Sequence, residues 1–331
     1  MDRPIVAISQ GDASGIGPEL IAKLLARPET YRRCRPIVVG DAAIVAWGVE
    51  IAGTKLAVRA VEDVNGARFE HGAIDVLDQA QLRREDVQLG VATAAIGRAS
   101  AHHARVAAEL ALGGRVGAVV AAPTNKEARD MAGAAESWAN TSRSDGKPVS
   151  QMIGVGALRA FNVTGHCALA DVPRLLSVER IVGIVELAHD TLGRLGCLRP
   201  RIAVAGLNPH AGEHGLFGDE EARLIEPAIA VARERGIDAR GPIPDDTLFV
   251  RAKSGEFDAE VCMYHAQSNV PVKMLDFGAG FSATCGLDFP LVTTAHGTGY
   301  DIAGKGVASE RSLADALALA VQFASGVAVG V

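Results

Sequence analysis

The sequence predicts an α/β protein with a mostly parallel sheet, and three features of the chain carry that prediction. Short aliphatic runs recur along it, longer amphipathic stretches separate them, and the runs end at Gly, Pro or a polar residue. The runs are IVAIS from Ile5, PIVVG from Pro36, GAVVAAP from Gly117, RIAVAGL from Arg201 and AEVCMYH from Ala259. Each is largely apolar rather than alternating, as expected of a strand buried on both faces. Helical patterns occupy residues 19–25, 92–112, 178–196 and 220–235. In the third, Ile181, Val182, Ile184, Val185, Leu187, Ala188 and Leu192 recur at helical spacing. No repeat, low-complexity tract or linker interrupts the 331 residues. The expectation is therefore a single unit of two intimately packed lobes with a soft boundary.

Composition narrows the function classes. Aromatics are 4% of the chain while Gly numbers 37, which argues against stacking platforms for single-stranded nucleic acid. A net charge of −6 leaves no basic footprint, so nucleic acid is not an expected partner. Five scattered cysteines without a CxxC pair read as reduced thiols, and no secretory signal follows Met1; both point to a cytoplasmic protein. The apolar C-terminal run from Ala314 is broken by Asp315 and Gln322, which fits a packed helix better than a membrane span.

Chemistry-bearing residues gather just after the strand-like runs. GDASGIGPEL, residues 11–20, combines a tight glycine turn with Pro18 and Glu19 at a helix start. It reads either as a ligand-lining loop, with Gly11, Asp12 and Gly15 against a cofactor, or as a plain helix-entry turn. His166, His210 and His265 each stand at or just beyond a strand end. A lone histidine is more often a satisfied polar residue than a ligand. Ends of parallel strands lie side by side, however, and three imidazoles there can reach one metal ion. His102, His103 and His189 fall in helical patterns and are expected to face solvent or to cap. In the segment TTAHGTGYDIAGKGVA, Gly297, Gly299, Gly304 and Gly306 bring backbone amides close to a ligand, beside His296 and Thr298, while Asp301 suits a ribose of NAD. Lys126 and Lys273 sit in apolar strand-end settings where a lysine can anchor a carboxylate or move a proton. Asp245 and Asp246 form a carboxylate pair within GPIPDDTLF, a segment that also reads as a Pro–Asp turn.

Together these segments resemble the PdxA family of dehydrogenases. GDASGIGPEL looks like that family's opening motif, GLNPHAGEHGLFGDEE like its central signature, and GPIPDDTLF and MYHAQ…VPVK like the two that follow. HGTGYDIAGKGVA is similar to its cofactor loop and to the adenosine-binding loop of isopropylmalate dehydrogenases. The matches run in order through essentially the whole chain. The resemblance implies an isocitrate/isopropylmalate-dehydrogenase-like fold of two lobes sharing a cleft, and a homodimer with its active site at the subunit interface. It also implies NAD and one divalent ion (Zn, Mg, Mn or Co) per site, held by His166, His210 and His265 with one ligand from the partner chain, and Lys273 on the substrate.

The chain departs from the family at several places. Where the family's phosphate-handling His-Thr pair is expected, it has Glu136 and Ser137; its Asn is replaced by Ser282 and its Arg by Leu291. Loss of a cation and gain of a carboxylate should weaken binding of a phosphate dianion. VPVKML leans towards the relatives acting on cyclic dihydrodiol carboxylates. The Asp after the strand-end histidine is Ala266, and the Asp before His296 is Ala295.

The expected activity is oxidation of a secondary alcohol on a small hydroxy acid, followed by decarboxylation, with hydride passing to NAD. Lys273 would anchor the substrate, and Lys126 or Asp246 would shuttle the proton. The alternatives are a 4-hydroxythreonine-4-phosphate or four-carbon sugar-acid phosphate dehydrogenase, a phosphate acyltransferase of the same general fold, and a ligand-binding relative without catalysis.

Overall fold

A computed structural model describes residues 3–134, 148–276 and 278–326. Twelve strands run through it in chain order: β1 (Ile5–Ser9), β2 (Arg35–Gly40), β3 (Ala57–Val61), β4 (Ala73–Asp78), β5 (Ala118–Ala121), β6 (Ser150–Val155), β7 (Leu158–Asn162), β8 (Arg201–Ala205), β9 (Asp238–Ile243), β10 (Ala259–Cys262), β11 (Phe281–Cys285) and β12 (Leu291–Thr294). The described chain falls into two compact units, one built from its N-terminal part with Leu287–Ser325, the other from the middle of the chain up to Gly286.

In the first unit the strand order is β3-β4-β2-β1-β5-β12, parallel throughout. The inner strands β1, β2 and β5 are almost wholly buried because helices cover the sheet, which explains their unbroken aliphatic runs. Ala7, Ile37, Val39, Val119 and Leu291 meet Ala107 and Ala108 of the helix Ala94–Leu112 in one core. That helix starts where Thr93 accepts a hydrogen bond from the Ile96 N–H, a side-chain cap that closes one of its orphan donors. His103 on it is fully buried, 3.3 Å from the Asp41 carboxylate, which corrects the expectation that it faces solvent. Its neighbour His102 takes the outer position and bonds Gln79.

In the second unit the order is β11-β6-β7-β10-β8-β9. β7, β10, β8 and β9 run parallel, while β6 is antiparallel to both its neighbours. The helix Val178–Arg194 buries the very stripe its sequence predicts, Ile181, Val182, Ile184, Val185, Ala188 and Leu192, and Ser177 caps its start. Among the described residues no helix is long and apolar enough to cross a membrane.

Strands β3, β4, β6, β7, β9, β11 and β12 are additions to the five aliphatic runs. Of these β3 and β9 are half-exposed and carry charged residues such as Arg59 and Arg240, so they lack the continuous apolar signature. The others are largely buried, but polar residues such as Asp75, Gln151, Arg159, Ser282 and Thr293 interrupt their apolar runs.

Candidate active site

The first unit presents two glycine-rich segments, residues 11–17 after β1 and 296–306 after β12. Gly11 has φ +74°, and a β-carbon there would lie 2.5 Å from the Pro123 carbonyl oxygen; only glycine permits that approach. Gly15 is similarly closed against the Thr298 carbonyl, 2.6 Å from where its β-carbon would sit, and that carbonyl accepts the Ile16 N–H at 2.9 Å. The buried Asp12 carboxylate receives the Ser14 N–H and hydroxyl on one oxygen and the Tyr300 hydroxyl, at 2.8 Å, on the other. Burial, more than the neighbouring carboxylate, pushes the Tyr300 phenol up to about 12. Lys23 donates to Glu19 and to the carbonyls of Gly306 and Ala308, while Glu19 accepts the Ala308 N–H. Asp12 and Gly15 thus serve to lock one loop onto the other, while Gly11 closes the first against the segment after β5. The open part of the pair is the stretch around Gly297, which has free space beyond it, and the exposed Asp301. His296 bonds the Gly297 carbonyl, and Gly304 packs against Leu89. An exposed backbone with a carboxylate beside it fits a dinucleotide's ribose and phosphates. Lys126 is exposed at the first position of the short helix Lys126–Met131.

The second unit brings histidines together at the carboxyl ends of its strands. His166 follows β7, and His265 opens the helix His265–Leu275 directly after β10, the parallel neighbour of β7. Their rings lie 4.8 Å apart, tilted by 40°. With Tyr264, Cys167, Leu169 and Val172 they line a cavity of about 300 Å³. Ala266 lines it too. Two imidazoles at this separation are a borderline-soft donor pair suited to a divalent transition ion, and they leave coordination positions to be filled. Among the described residues no group of three His, Cys, Asp or Glu side chains is set to hold a metal ion.

His210 stands apart from that pair, in the loop after β8. Its Nδ1 lies 3.3 Å from the Glu213 carboxylate and its ring meets Phe217 edge-on. His210, Ala211, Glu213 and His214 all adopt left-handed backbone, φ +44° to +58°. For residues with a β-carbon this costs about 1–2 kcal/mol each, so the surroundings must impose it. The buried Glu221 does so in part. Its carboxylate accepts the N–H groups of Leu207 and Asn208 and the Asn208 side-chain amide at 2.7–2.9 Å. Burial alone would raise its pKa, but these donors hold it below the usual carboxylate range.

Gln267 joins the strand ends to one another. Its side chain accepts from the Met263 N–H and donates to the Gly206 carbonyl, and it also bonds Asp245. Asp245, at the start of the helix Asp245–Lys253, is half-buried; burial pushes its carboxyl up to about 6 against the opposing hydrogen bond from Gln267. Asp246 is exposed. Asp245 is thus the half-buried member of the pair, and Asp246, the one expected to shuttle a proton, the exposed one. Lys273 is partly exposed two turns beyond His265, about 12 Å along the helix. Ser282 is buried and accepts from the Gln151 amide at 2.6 Å, and Leu291 is packed in the first unit's aliphatic core. Glu136 and Ser137 lie outside the described residues. Tyr264, Gln267, Glu221 and Tyr300 were not anticipated from the sequence; Gln267, Glu221 and Tyr300 act through segments distant in the chain, which no local spacing marks.

The family model described as pyridoxal phosphate biosynthetic protein PdxA matches residues 32–320. A 4-hydroxythreonine-4-phosphate dehydrogenase of Geobacter metallireducens is 42% identical over 97% of this chain and 96% of its own length. A D-threonate 4-phosphate dehydrogenase of Cupriavidus necator is 41% identical over 97% and 98%. The crystal structure of a 4-hydroxythreonine-4-phosphate dehydrogenase from Burkholderia phymatum superposes with a TM-score of 0.84, at 40% identity over 98% of this chain and 99% of that one. A terephthalate dihydrodiol dehydrogenase from Burkholderia xenovorans scores 0.66 at 28% identity, covering 97% and 98%. The leaning of VPVKML towards the dihydrodiol enzymes is thus not matched by overall similarity, which is higher to the phosphate-named relatives. Matched by the family model over most of its length and by such relatives over nearly all of it, this chain belongs to the PdxA family and is a dehydrogenase.

Proposed function

We infer that this protein oxidises the secondary alcohol of a small four-carbon hydroxy acid, with NAD as hydride acceptor and a divalent metal ion as Lewis acid. The observation that carries the reading is the pair of imidazoles, His166 and His265, 4.8 Å apart at the carboxyl edge of a parallel sheet in a dehydrogenase-family chain. These two would hold the ion within one protomer, and His210 of a second copy would complete the set, which makes the enzyme an obligate homodimer. Such an ion lowers the pKa of the alcohol it meets. The chain's own groups do the rest. Asp245, with a carboxyl poised near 6, accepts the hydroxyl proton at neutral pH. Lys273 anchors the anionic end of the substrate, Lys126 assists proton movement, and the open backbone around Gly297 with Asp301 holds the dinucleotide.

The relatives' substrates, 4-hydroxythreonine 4-phosphate and D-threonate 4-phosphate, are the first compounds to assay. A second reading, the corresponding acids without phosphate, draws on Leu291 packed in an aliphatic core and on Ser282 already engaged by Gln151. A dianion gains no charge-assisted contact from either residue. Measuring kcat/KM on each phosphorylated acid and its free counterpart decides between them: the first reading expects a preference of a hundredfold or more for phosphate, about 3 kcal/mol, and the second a preference below tenfold. Trapping carbon dioxide alongside NADH formation tests whether a β-keto product decarboxylates. NAD binding without reduction across the whole panel would overturn the dehydrogenase chemistry and favour a ligand-binding role.

A further inference from the structure

The second unit has another cavity, at the opposite edge of the same strands. It measures about 440 Å³ and lies by the amino ends of β7, β8 and β10, marked by Arg159, Arg201 and Asp258. Four or five strand residues at about 3.3 Å each put it roughly 15 Å from the histidine edge. Leu158, Leu192, Leu195, Ala252 and Phe257 form apolar walls. Arg159 also lines it, and its charge is poorly compensated. Its Nη1 bonds the Ala157 carbonyl, while its buried Nε has no hydrogen-bond partner among the described residues. None of those residues' carboxylates pairs with it within 4 Å. Glu260, on the neighbouring strand β10, accepts the Arg159 backbone N–H, and burial raises its carboxyl to about 8, so it is largely neutral at pH 7. Arg201 lines the cavity as well, but both its forks are taken by Asp258 at 2.9 Å. Asp258 acts on the Arg159 guanidinium only from beyond ion-pair distance and is itself forked by Arg201, so a half-buried guanidinium is left with room for a closer anion.

We propose that this cavity is a binding site for a small monocarboxylate with an apolar body, separate from the active site. Arg159 spends Nη1 on the Ala157 carbonyl, and its Nη2, with no hydrogen-bond partner among the described residues, can donate a charge-assisted hydrogen bond to a carboxylate. The leucine and phenylalanine walls receive the hydrocarbon portion. Asp258 and Asp276 on the lining disfavour a dianion such as phosphate. Lys253, exposed and also on the lining, adds a second, screened positive charge.

The test is calorimetric titration of the full-length protein with hexanoate, hexanol and inorganic phosphate. Saturable binding of hexanoate alone is expected, unchanged in His265→Ala, since the histidine edge takes no part. Arg159→Gln should weaken it at least tenfold. Leu195→Trp, which fills the apolar wall and keeps the guanidinium, should weaken it equally; this second variant decides the matter if circular dichroism shows Arg159→Gln to be misfolded. Absence of hexanoate binding in the unaltered protein, phosphate binding in its place, full affinity in Leu195→Trp, or loss of binding in His265→Ala would each overturn the proposal.

Discussion

The glycine-rich loops of the first unit and the histidine-bearing strand ends of the second are equally dense in polar side chains, but their hydrogen bonds lead to different places. Asp12, Ser14, Glu19, Lys23 and Tyr300 bond one another and nearby carbonyls, which fastens one loop to the other, and among the described residues one Glu19 oxygen has no hydrogen-bond partner. At the strand ends the bonding instead braces the backbone beside the chemistry. Glu221 and Gln267 fix the backbone around His210 and His265, Asp245 is half-buried at a helix start, and the His166 and His265 rings lie 4.8 Å apart on the lining of a cavity. Motif density alone does not separate scaffold from site. What separates them is that the loop side chains close on one another while the two imidazoles stand on a cavity wall.

The contrast is open to direct attack. The largest expected effect is on turnover: His166→Ala or His265→Ala should lower kcat/KM by about a thousandfold or more, the several kcal/mol that a Lewis acid supplies. Neither ring is held in a hydrophobic core cluster, so Tm should move by no more than about 1–2 °C. A large loss of Tm with modest loss of turnover would erase the distinction between the two regions. Next comes Glu221→Ala, which strands three donors and releases the left-handed His210 loop. It should cost about 2–4 kcal/mol in denaturant unfolding and reduce turnover as well, because it positions a site loop. In the first unit, Tyr300→Phe removes the bond to Asp12 and should cost about 1 kcal/mol, with KM for NAD raised a few-fold and kcat unchanged. A fall in kcat with KM intact would mean that the loop network belongs to the chemistry after all.

The smallest effect concerns pH. Asp245 is raised from 3.8 to about 6 by burial, so the folded state holds its proton more tightly than the unfolded chain does. Its contribution to stability is fully present below pH 4 and is lost as pH rises through about 6. Asp245→Asn should therefore gain stability relative to the parent only above that window, in melting curves taken at pH 4 and pH 7. The activity of the parent should rise through the same window as the carboxylate forms, and that acid limb should vanish in Asp245→Asn.

Much of this architecture can be read from the chain before any coordinates. The five aliphatic runs all became strands, and the helix Val178–Arg194 buries its expected stripe, because a strand covered on both faces and a helix covered on one leave strong periodic signals. The marginal strands β3 and β9 leave none, since half-exposed edges accept Arg and Asp. His166 and His265 were legible as strand-end residues, and parallel pairing of β7 with β10 puts those ends side by side. Which of Asp245 and Asp246 is the more buried was not, for that depends on how the helix Asp245–Lys253 packs and on no local spacing. His103 misled because its helix has a polar outer face at neighbouring His102, and only the packing shows which of the two turns inward.

Metal analysis of purified protein after exhaustive dialysis decides whether His166 and His265 hold a divalent ion. One ion per chain is expected in the parent and less than a tenth of that in His166→Ala and in His265→Ala, each still folded. Full metal content in both variants, or none in the parent after incubation with zinc, cobalt, manganese or magnesium, would contradict it.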